Sequence, residues 1–425
     1  MLSRLGSACR RALELLARPV RAAGGRGGFL VRPYRGYGSQ EEVFLIGRVF
    51  RQPTLGSGVP GGSWRGLLIE VVRRLLSWGV ADAVLIARFC GAEQQLTSDR
   101  DGYFRVHMRP AGPPPADQLW HEMELQLVQP IEIVTAGEIF LPPSHCRYVV
   151  ISDIDDTVME TGVANKLKML WNLFMQGPRS RVAFPGMAAL LQALHRGASG
   201  RESNPMLYVS RGPWSVYDIL DEFFNLHRIP IGPILFLREW GLTLQNPLPR
   251  RAQDHKLDLI RNMLALYRDL PFVLIGDSGQ HDPEIYTQVV QEHPGRVLAI
   301  YIRNVSRDPA RHRAIENLAL RVVEAGSSLL LAADSLAMAE HAAAHDLIAP
   351  DALAGVLEER EVHEGEPDPK PTVEVGGASP RQTRHAVQTG ELERALDGDS
   401  RDETPQNVVV EAEDKGREPR LRERG

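Results

Sequence analysis

Cysteine is scarce in this sequence. Its 425 residues include only three cysteines, Cys9, Cys90 and Cys146, which lie far apart. They form no CxxC pair and, being odd in number, no disulfide framework, which favours a reducing compartment such as the cytoplasm. No apolar run approaches the length of a transmembrane helix. We therefore expect a cytoplasmic protein that would meet a membrane only from its surface.

An excess of positive charge is also lacking. The chain has 49 lysines and arginines against 54 aspartates and glutamates, which gives a formal net charge of −5. This balance provides no global attraction to nucleic acid, so we predict no nucleic-acid partner, and any attraction to anions must be local. No internal repeat at solenoid spacing is present. The length is sufficient for two or three domains.

Residues 1–40 form a predicted basic N-terminal segment. Within residues 1–22, five arginines stand against a single acid, Glu14, and leucines recur at helical spacing. Three interpretations stay open. The segment is an amphipathic helix on an anionic membrane surface, an organelle-targeting peptide, or a frayed basic terminus.

Residues 41–144 are predicted to form a small β-rich domain that resembles a β-sandwich. Short apolar or alternating stretches are separated by glycine- and proline-rich turns, the pattern of short strands. The predicted strands lie at 43–50, 83–89, 119–128 and 139–141, with a short helix at 65–78. No cluster of histidines, cysteines or paired acids marks a site here. A positioning module, or one that binds a partner the sequence does not identify, is the expectation.

Residues 145–354 change to strands that alternate with helices, which is the signature of the α/β class with a parallel sheet. Strands are predicted at 147–153, 206–210, 234–237, 272–277, 297–302 and 328–331, and helices at 166–175, 187–194, 215–226, 256–267 and 335–345. The segments 158–205 and 211–255 are short, so we predict no large cap domain. From residue 355 to the end, charged residues of both signs with proline and glycine predict a disordered tail.

Polar residues stand where the predicted parallel strands end. These residues are Asp153, Asp155, Ser210 and Asp277. Asp282 follows shortly after Asp277, and Lys256 lies in the predicted helix before the strand that ends at Asp277. Carboxyl ends of parallel strands share one edge of the sheet, so these groups can converge. Converging carboxylates without histidine or cysteine suit Mg²⁺. A lysine can hold a phosphate, and a hydroxyl followed by free backbone N–H groups, as at 210–212, can bind phosphate oxygens.

Four motifs in this order resemble those of haloacid-dehalogenase (HAD) superfamily phosphatases. The first matches Asp153-Ile-Asp155-Asp156-Thr157, the second Ser210, the third Lys256, and the fourth the run from Gly276 to Asp282. The closer resemblance is to the catalytic domain of the actin-patch-type phosphatidate phosphatase family, over about residues 147–345. It is carried by Tyr208-Val-Ser-Arg-Gly-Pro-Trp214, Gly232-Pro-Ile-Leu-Phe-Leu237, His255-Lys256, the run 276–286 and Ile300-Tyr-Ile-Arg303. The resemblance implies an HAD-like Rossmannoid sheet.

The resemblance also implies a mechanism. Asp153 would be the nucleophile that forms an aspartyl-phosphate, and Asp155 would act as general acid and then general base. Mg²⁺ would be held by Asp153, the backbone carbonyl of Asp155, and Asp277, with support from Asp282. Ser210 and Lys256 would bind the phosphate oxygens.

Three neighbours of these residues, Arg211, Asp156 and Thr157, are not predicted to react. Arg211 stands where the family usually has a small polar residue, so it either adds a phosphate contact or points to solvent. Asp156 and Thr157 are expected to shape the first motif's loop rather than to react.

Three functions stay open at this point. The first is an Mg²⁺-dependent phosphatidate phosphatase that hydrolyses phosphatidic acid to diacylglycerol and phosphate, on a membrane surface. The second is a phosphatase for a soluble phosphomonoester or a phosphoprotein. The third is a catalytically silent membrane or protein adaptor, which the intact set of Asp153, Asp155, Lys256 and Asp277 disfavours.

Overall fold

The structure is a computed structural model, and it describes residues 24–26, 28–51, 78–155, 157–158, 184–212, 214, 217–237, 252–365 and 408–410. Several predicted features lie outside these residues, namely the helix at 166–175, the basic stretch 1–22 and Asp156. The predicted helix at 65–78 also lies outside them, except for its last residue, Trp78. The absence of a large cap domain was predicted because the segments 158–205 and 211–255 are short. Much of both segments lies outside the described residues, so this prediction stays open. Among the described residues, no helix combines the length and apolarity that crossing a membrane requires.

Ten strands form the first sheet, which is built from the N-terminal part of the chain. They are β1 Gly24–Arg26, β2 Phe29–Pro33, β3 Gly36–Gly38, β4 Val43–Arg51, β5 Trp78–Gly79, β6 Val84–Phe89, β7 Ala92–Thr97, β8 Tyr103–Met108, β9 Trp120–Gln129 and β10 Ile133–Phe140. The main path of the sheet runs β1-β2-β4-β3-β10-β9-β6-β7, and β5 and β8 pair with β4. All pairs are antiparallel except β3 with β10.

The alternation of buried and exposed residues along these strands explains the core of this sheet. In β9, for example, Met123, Leu125 and Leu127 point inward while the residues between them face outward. Strands β1–β3 lie inside the predicted N-terminal segment 1–40, so the sheet begins before the predicted boundary at residue 41. This stretch is rich in glycine and arginine and shows no apolar alternation. The sequence therefore did not indicate that it pairs with β4 and β10. The sandwich arrangement itself stays a prediction.

A second sheet contains the C-terminal strands, and it confirms the predicted α/β class with a parallel sheet. Its strands are β11 Val149–Asp153, β12 Met206–Ser210, β13 Ile234–Phe236, β14 Phe272–Asp277, β15 Val297–Arg303, β16 Ser328–Ala332 and β17 Val408–Val410. The order is β13-β12-β11-β14-β15-β16-β17, parallel throughout except for the last pair. The chain thus builds outward from β11 in one direction and then in the other, and the reversal falls between β11 and β14.

Helices cover both faces of this parallel sheet. They are α1 Met187–Arg196, α2 Tyr217–Leu226, α3 Ala252–Leu266, α4 Asp282–Glu292, α5 Pro309–Glu324, α6 Ser335–Ala344 and α7 Ala352–Gly365. One apolar cluster contains residues of α1, α2, α6 and α7, and the other contains residues of α3, α4 and α5. Because both faces are buried, the strands are continuous apolar runs rather than alternating ones. The HAD-like form of this architecture stays a prediction.

Helix α7 extends the ordered chain past residue 354, where the charged tail was predicted to begin. Val356 is fully buried in the cluster shared with α1 and α6, and Arg360 pairs with Asp334 at 3.2 Å. The sequence 352–365 is rich in charge, and its single deeply buried apolar residue was too weak a signal for a helix. The strand Val408–Val410 also lies within the predicted tail.

Candidate active site

The first part of the site is the end of β11. This strand is completely buried, and its last residue, Asp153, pairs in register with Val209 of β12. The amide of Ile154 still donates to the carbonyl of Val209 at 3.0 Å, and the chain then turns, with Val158 N–H donating to Ile154 O at 3.1 Å. Asp153 is fully buried and Asp155 is 9% exposed. The turn therefore keeps both acids at the carboxyl edge of the sheet, as the sequence predicted.

Lys256 joins Asp153 to Asp282. Its Nζ lies 2.8 Å from Asp153 Oδ1 and 2.6 Å from Asp282 Oδ1, and all three side chains are almost completely buried. Burial opposes the charge on the ammonium, but the two carboxylates outweigh it and raise the pKa of Lys256 well above its usual value. Burial, together with the negative charges of Asp282 and Asp155, raises the pKa of Asp153 in spite of Lys256. Lys256 is thus the cation that pairs with both buried carboxylates.

The end of β14 brings in the remaining acids. Asp277 Oδ1 accepts hydrogen bonds from the N–H groups of Gly279 and Gln280, at 2.8 and 2.9 Å. Asp282 Oδ2 lies 3.3 Å from the amide of Asp277 and accepts from it. A Cβ placed on Gly276 would be 2.3 Å from that same Oδ2, so only glycine allows Asp282 to fold back on the strand end.

Asp153, Asp277 and Asp282 form a cluster that fits a divalent cation. Each offers a carboxylate oxygen, and these oxygens all lie within 4.8 Å of one another. The donors are hard oxygens with no nitrogen or sulfur, which suits Mg²⁺ better than zinc or copper. Burial is the main reason why the pKa of Asp153 is raised, with the charges of Asp282 and Asp155 adding to it, and a bound divalent cation would favour the ionised form of these carboxyls.

Asp155, the fourth predicted metal ligand, is placed differently from the other three. Its backbone carbonyl, the atom expected to face the metal, accepts a hydrogen bond from Gln280 Nε2 at 2.9 Å. The same Nε2 lies 3.5 Å from Asp153 Oδ2. Gln280 therefore links the first motif to the fourth. The buried Oε1 of Gln280 has no hydrogen-bond partner within the part of the chain that the structure describes.

The predicted phosphate-binding residues lie on both sides of Asp153. Ser210 ends β12, the strand next to β11, and its hydroxyl oxygen accepts from the amide of Gly212 at 3.0 Å. It is 2% exposed. Arg211 follows it with a partly buried side chain. Lys256 reaches the site from the N-terminal part of α3. The structure thus brings Ser210 and Lys256 to the same sheet edge as Asp153, and the role of Arg211 stays a prediction.

Sequence reasoning missed the residues that brace the loop between β14 and α4. Arg311 of α5 donates from Nε to Ser278 O at 2.8 Å and from Nη2 to Gln280 O at 2.6 Å, and it pairs with Glu284. The hydroxyl of Ser278 accepts from the amides that follow β15, those of Val305 and Ser306. Gln280 stood within the fourth motif, but nothing in the sequence around Arg311 indicated that it reaches this loop.

Arg303, the last residue of β15, supports the loop after β11. Its Nε donates to Thr157 O at 3.2 Å and its Nη2 donates to the hydroxyl of Ser335 at 2.7 Å. Burial lowers the pKa of this guanidinium to about 10. The guanidinium also lies 4.2 Å from the ring centre of Phe184. The guanidinium of Arg303 thus anchors the backbone of the loop that carries the first motif.

Comparison with known proteins bears on the same residues. Residues 148–304 match the family described as phosphatidate phosphatase APP1, catalytic domain, which confirms over these residues the resemblance inferred from the sequence. Every site residue predicted from the sequence lies within that match, whereas Arg311 lies beyond its end.

Two proteins illustrate this similarity. The phosphatidate phosphatase APP1 of Saccharomyces cerevisiae is 31% identical over 180 residues, which cover 41% of this chain and 30% of the yeast protein. An uncharacterized protein of Schizosaccharomyces pombe is 30% identical over 159 residues, which cover 37% of this chain and 25% of its own. The chain thus spans less than a third of the length of these relatives.

The similarity to solved structures is low. A carbohydrate acetylesterase from Xanthomonas citri aligns with 68% of this chain and 72% of its own at 10% identity, with a TM-score of 0.21. A similarity of this size carries no argument about fold or function.

Proposed function

We propose that this chain is an Mg²⁺-dependent phosphatidate phosphatase, which hydrolyses phosphatidic acid to diacylglycerol and phosphate. The observation that carries the proposal is the buried cluster of Asp153, Asp277 and Asp282, in which Lys256 bridges Asp153 and Asp282. It lies at the carboxyl ends of the neighbouring strands β11 and β14. The match over residues 148–304 supports phosphatidate as the substrate.

The proposed reaction has two steps. A carboxylate oxygen of Asp153 attacks phosphorus in line, the bond to the lipid alkoxide breaks, and Asp155 gives its proton to the alkoxide to form diacylglycerol. Asp155, now ionised, takes a proton from water, which attacks the aspartyl-phosphate. Phosphate is released and the carboxylate of Asp153 is restored. Mg²⁺ bound by the aspartates would reduce the repulsion between the anionic nucleophile and the anionic phosphate.

The other residues of the site have supporting roles. Lys256 is fixed beside Asp153, where its charge can hold a non-bridging phosphate oxygen as charge moves in the transition state. The hydroxyl of Ser210 would donate to another oxygen, held in place by the Gly212 amide that donates to the hydroxyl oxygen. Gln280 would keep the backbone of Asp155 in place relative to Asp153. The lipid would be reached from the surface of a bilayer.

Phosphate release from two substrates tests the proposal. We would measure it with and without Mg²⁺, from phosphatidate in mixed micelles and from a soluble phosphomonoester. Asp153→Asn should abolish release, and Asp269→Asn, which changes an exposed aspartate outside the site, should not.

Each other result has a definite meaning. Release that survives Asp153→Asn would overturn the mechanism. Activity on the soluble ester alone would replace phosphatidate with a soluble substrate. No activity on either of these or on a phosphoprotein would leave the adaptor as the remaining function.

A further inference from the structure

The β-rich part of the chain is packed directly against the elements that follow Ser210. Tyr34, between β2 and β3, is 7% exposed and belongs to the same apolar cluster as α1 and α2. Its ring stacks on Trp214 with 4.4 Å between ring centres, and it lies 4.6 Å from the ring of Tyr217. The rings of Tyr34, Trp214 and Tyr217 therefore join the β-rich part to the segment that follows Ser210.

Two arginines on either side of Tyr34 hold α2. Arg32 Nη2 lies 2.6 Å from Asp218 Oδ1, and the arginine side chain is 8% exposed. Arg35 pairs with Asp221 one turn later, and both of these side chains are 14% exposed. The amide of Arg35 also donates to the hydroxyl of Tyr217 at 3.2 Å. Because these side chains are largely shielded from water, removing one partner of such a pair costs more than at an exposed surface pair.

The same contacts limit the movement of the segment that contains Ser210. Ser210 is held by the sheet, because its carbonyl accepts from Leu237 N at 2.9 Å. Trp214, four residues on, is held between Tyr34 and Phe236, whose ring centre lies 4.7 Å away. Ser210 is thus held by the parallel sheet, and Trp214 is held by the β-rich part together with Phe236.

We propose that Tyr34, Arg32 and Arg35 are positioning residues for phosphate binding. They hold Trp214 and α2, and in this way they keep Ser210, with the Gly212 amide that donates to its hydroxyl oxygen, in the arrangement that meets the phosphate oxygens. This inference rests on the proposed function of Ser210. It makes the β-rich part a component of the phosphatase rather than an independent module.

Tyr34→Leu tests the proposal, and the same chain offers a matched control. Tyr37 is equally buried and lies three residues later, but it stacks on Phe44 and belongs to the cluster on the opposite face of the parallel sheet. Tyr37→Leu therefore removes a similar side chain from the same contact region without touching Trp214. Tyr34→Phe keeps the stacked ring and should restore normal behaviour.

Two readouts on the full chain separate positioning from general destabilisation. Amide hydrogen exchange should rise about two- to tenfold in peptides that cover residues 209–217 in Tyr34→Leu, because the loss of one aromatic pair has an effect of this size, and it should not rise there in Tyr37→Leu. The kcat for phosphate release should fall about 10- to 100-fold in Tyr34→Leu, with a smaller change in KM, because misplaced groups stabilise the transition state less.

A milder variant covers the case in which Tyr34→Leu does not fold. Asp221→Asn weakens the pair with Arg35 but leaves the aromatic packing intact. It should raise exchange in α2 and lower kcat to a smaller extent.

Equal effects of Tyr34→Leu and Tyr37→Leu on both readouts, or unchanged exchange over residues 209–217, would overturn the inference. Absence of phosphate release from the unaltered protein would overturn the proposed function instead, and the exchange comparison would still decide whether the β-rich part orders this loop.

Discussion

The ammonium of Lys256 lies 2.8 Å from Asp153 Oδ1, and neither side chain is more than 3% exposed. Lys256→Met would leave Asp153 and Asp282 buried without their cation. We expect the free energy of unfolding in metal-free buffer to fall by about 3–5 kcal/mol, the usual cost of breaking a buried pair by removing one partner. Urea unfolding would measure it.

Arg261→Met is the control for this loss, since Arg261 pairs with the partly exposed Glu292 at the surface of α3 and α4. It should cost less than about 1 kcal/mol. Equal costs for the two variants would contradict the view that Lys256 neutralises buried acids.

Mg²⁺ should stabilise the folded protein through the three aspartates. At a concentration of about 100 times its Kd, a ligand that binds only the folded state adds about 2.7 kcal/mol to the free energy of unfolding. Asp277→Asn removes one charged ligand of the cluster, so it should lose most of this gain, whereas Asp269→Asn should keep it. Thermal unfolding with and without Mg²⁺ measures the effect without depending on activity. An equal gain in both variants would place the metal elsewhere.

Gln280→Leu should slow the reaction without removing a reacting group. The variant deletes the donor to the carbonyl of Asp155, 2.9 Å away, and loosens the turn that contains this proposed general acid. We expect kcat to fall about 10- to 100-fold, since small displacements of catalytic groups have effects of this size. Gln288→Leu removes an exposed glutamine of α4 that donates to Glu292, and it should leave kcat unchanged. A normal rate in Gln280→Leu would mean that Asp155 is held by other contacts.

His341 should make stability depend on pH. Burial, with the nearby His345, lowers the pKa of His341 to about 4, from 6.5 in the unfolded chain. The unfolded state therefore binds the proton more readily, and stability is lost as pH falls from about 6.5 toward 4. We expect a loss of at most about 2 kcal/mol, because solvent screens part of the charge.

His341→Gln should remove this part of the pH dependence when unfolding by urea is compared at pH 7 and pH 5. It keeps an acceptor for the hydroxyl of Tyr301, which lies 3.1 Å from His341 Nδ1. His145→Gln, at an exposed position, should retain the slope of the unaltered protein. A variant at residue 341 with an unchanged slope would assign the pH dependence to other groups.

The sequence predicted the strands that end in acids because the signal there is local. Val149–Asp153 and Phe272–Asp277 are apolar runs that stop at a carboxylate, and buried parallel strands have this form. The convergence of Asp153, Ser210, Lys256 and Asp277 followed from the shared edge of a parallel sheet. These parts of the fold and site required no knowledge of distant contacts.

Features that depend on distant contacts could not be predicted in this way. The sequence analysis did not identify α5, since its inward face consists of only Ile315, Ala319 and Val322 among charged residues. Arg311 lies on this helix, and its position beside Ser278 and Gln280 arises from how α5 packs. Arg32 and Arg35 were likewise predicted only as part of a basic segment. Their partners on α2 lie 186 residues further along the chain, so the sequence did not indicate the two ion pairs.

Helix α7 makes two contacts that proteolysis of the charged C-terminal segment would remove if it cut within this helix. Helix α1 begins after Gly186 with no side-chain cap and no acid in its first turn. Glu359 of α7 supplies what is missing, because its carboxylate accepts from the amide of Ala189 at 2.7 Å. Cleavage before residue 359 would remove this cap, at a cost of about 1 kcal/mol. Cleavage before residue 356 would also uncover the apolar surface under Val356. Removal of the chain after α7 spares both contacts but takes away β17, the strand that pairs with β16 at the end of the sheet.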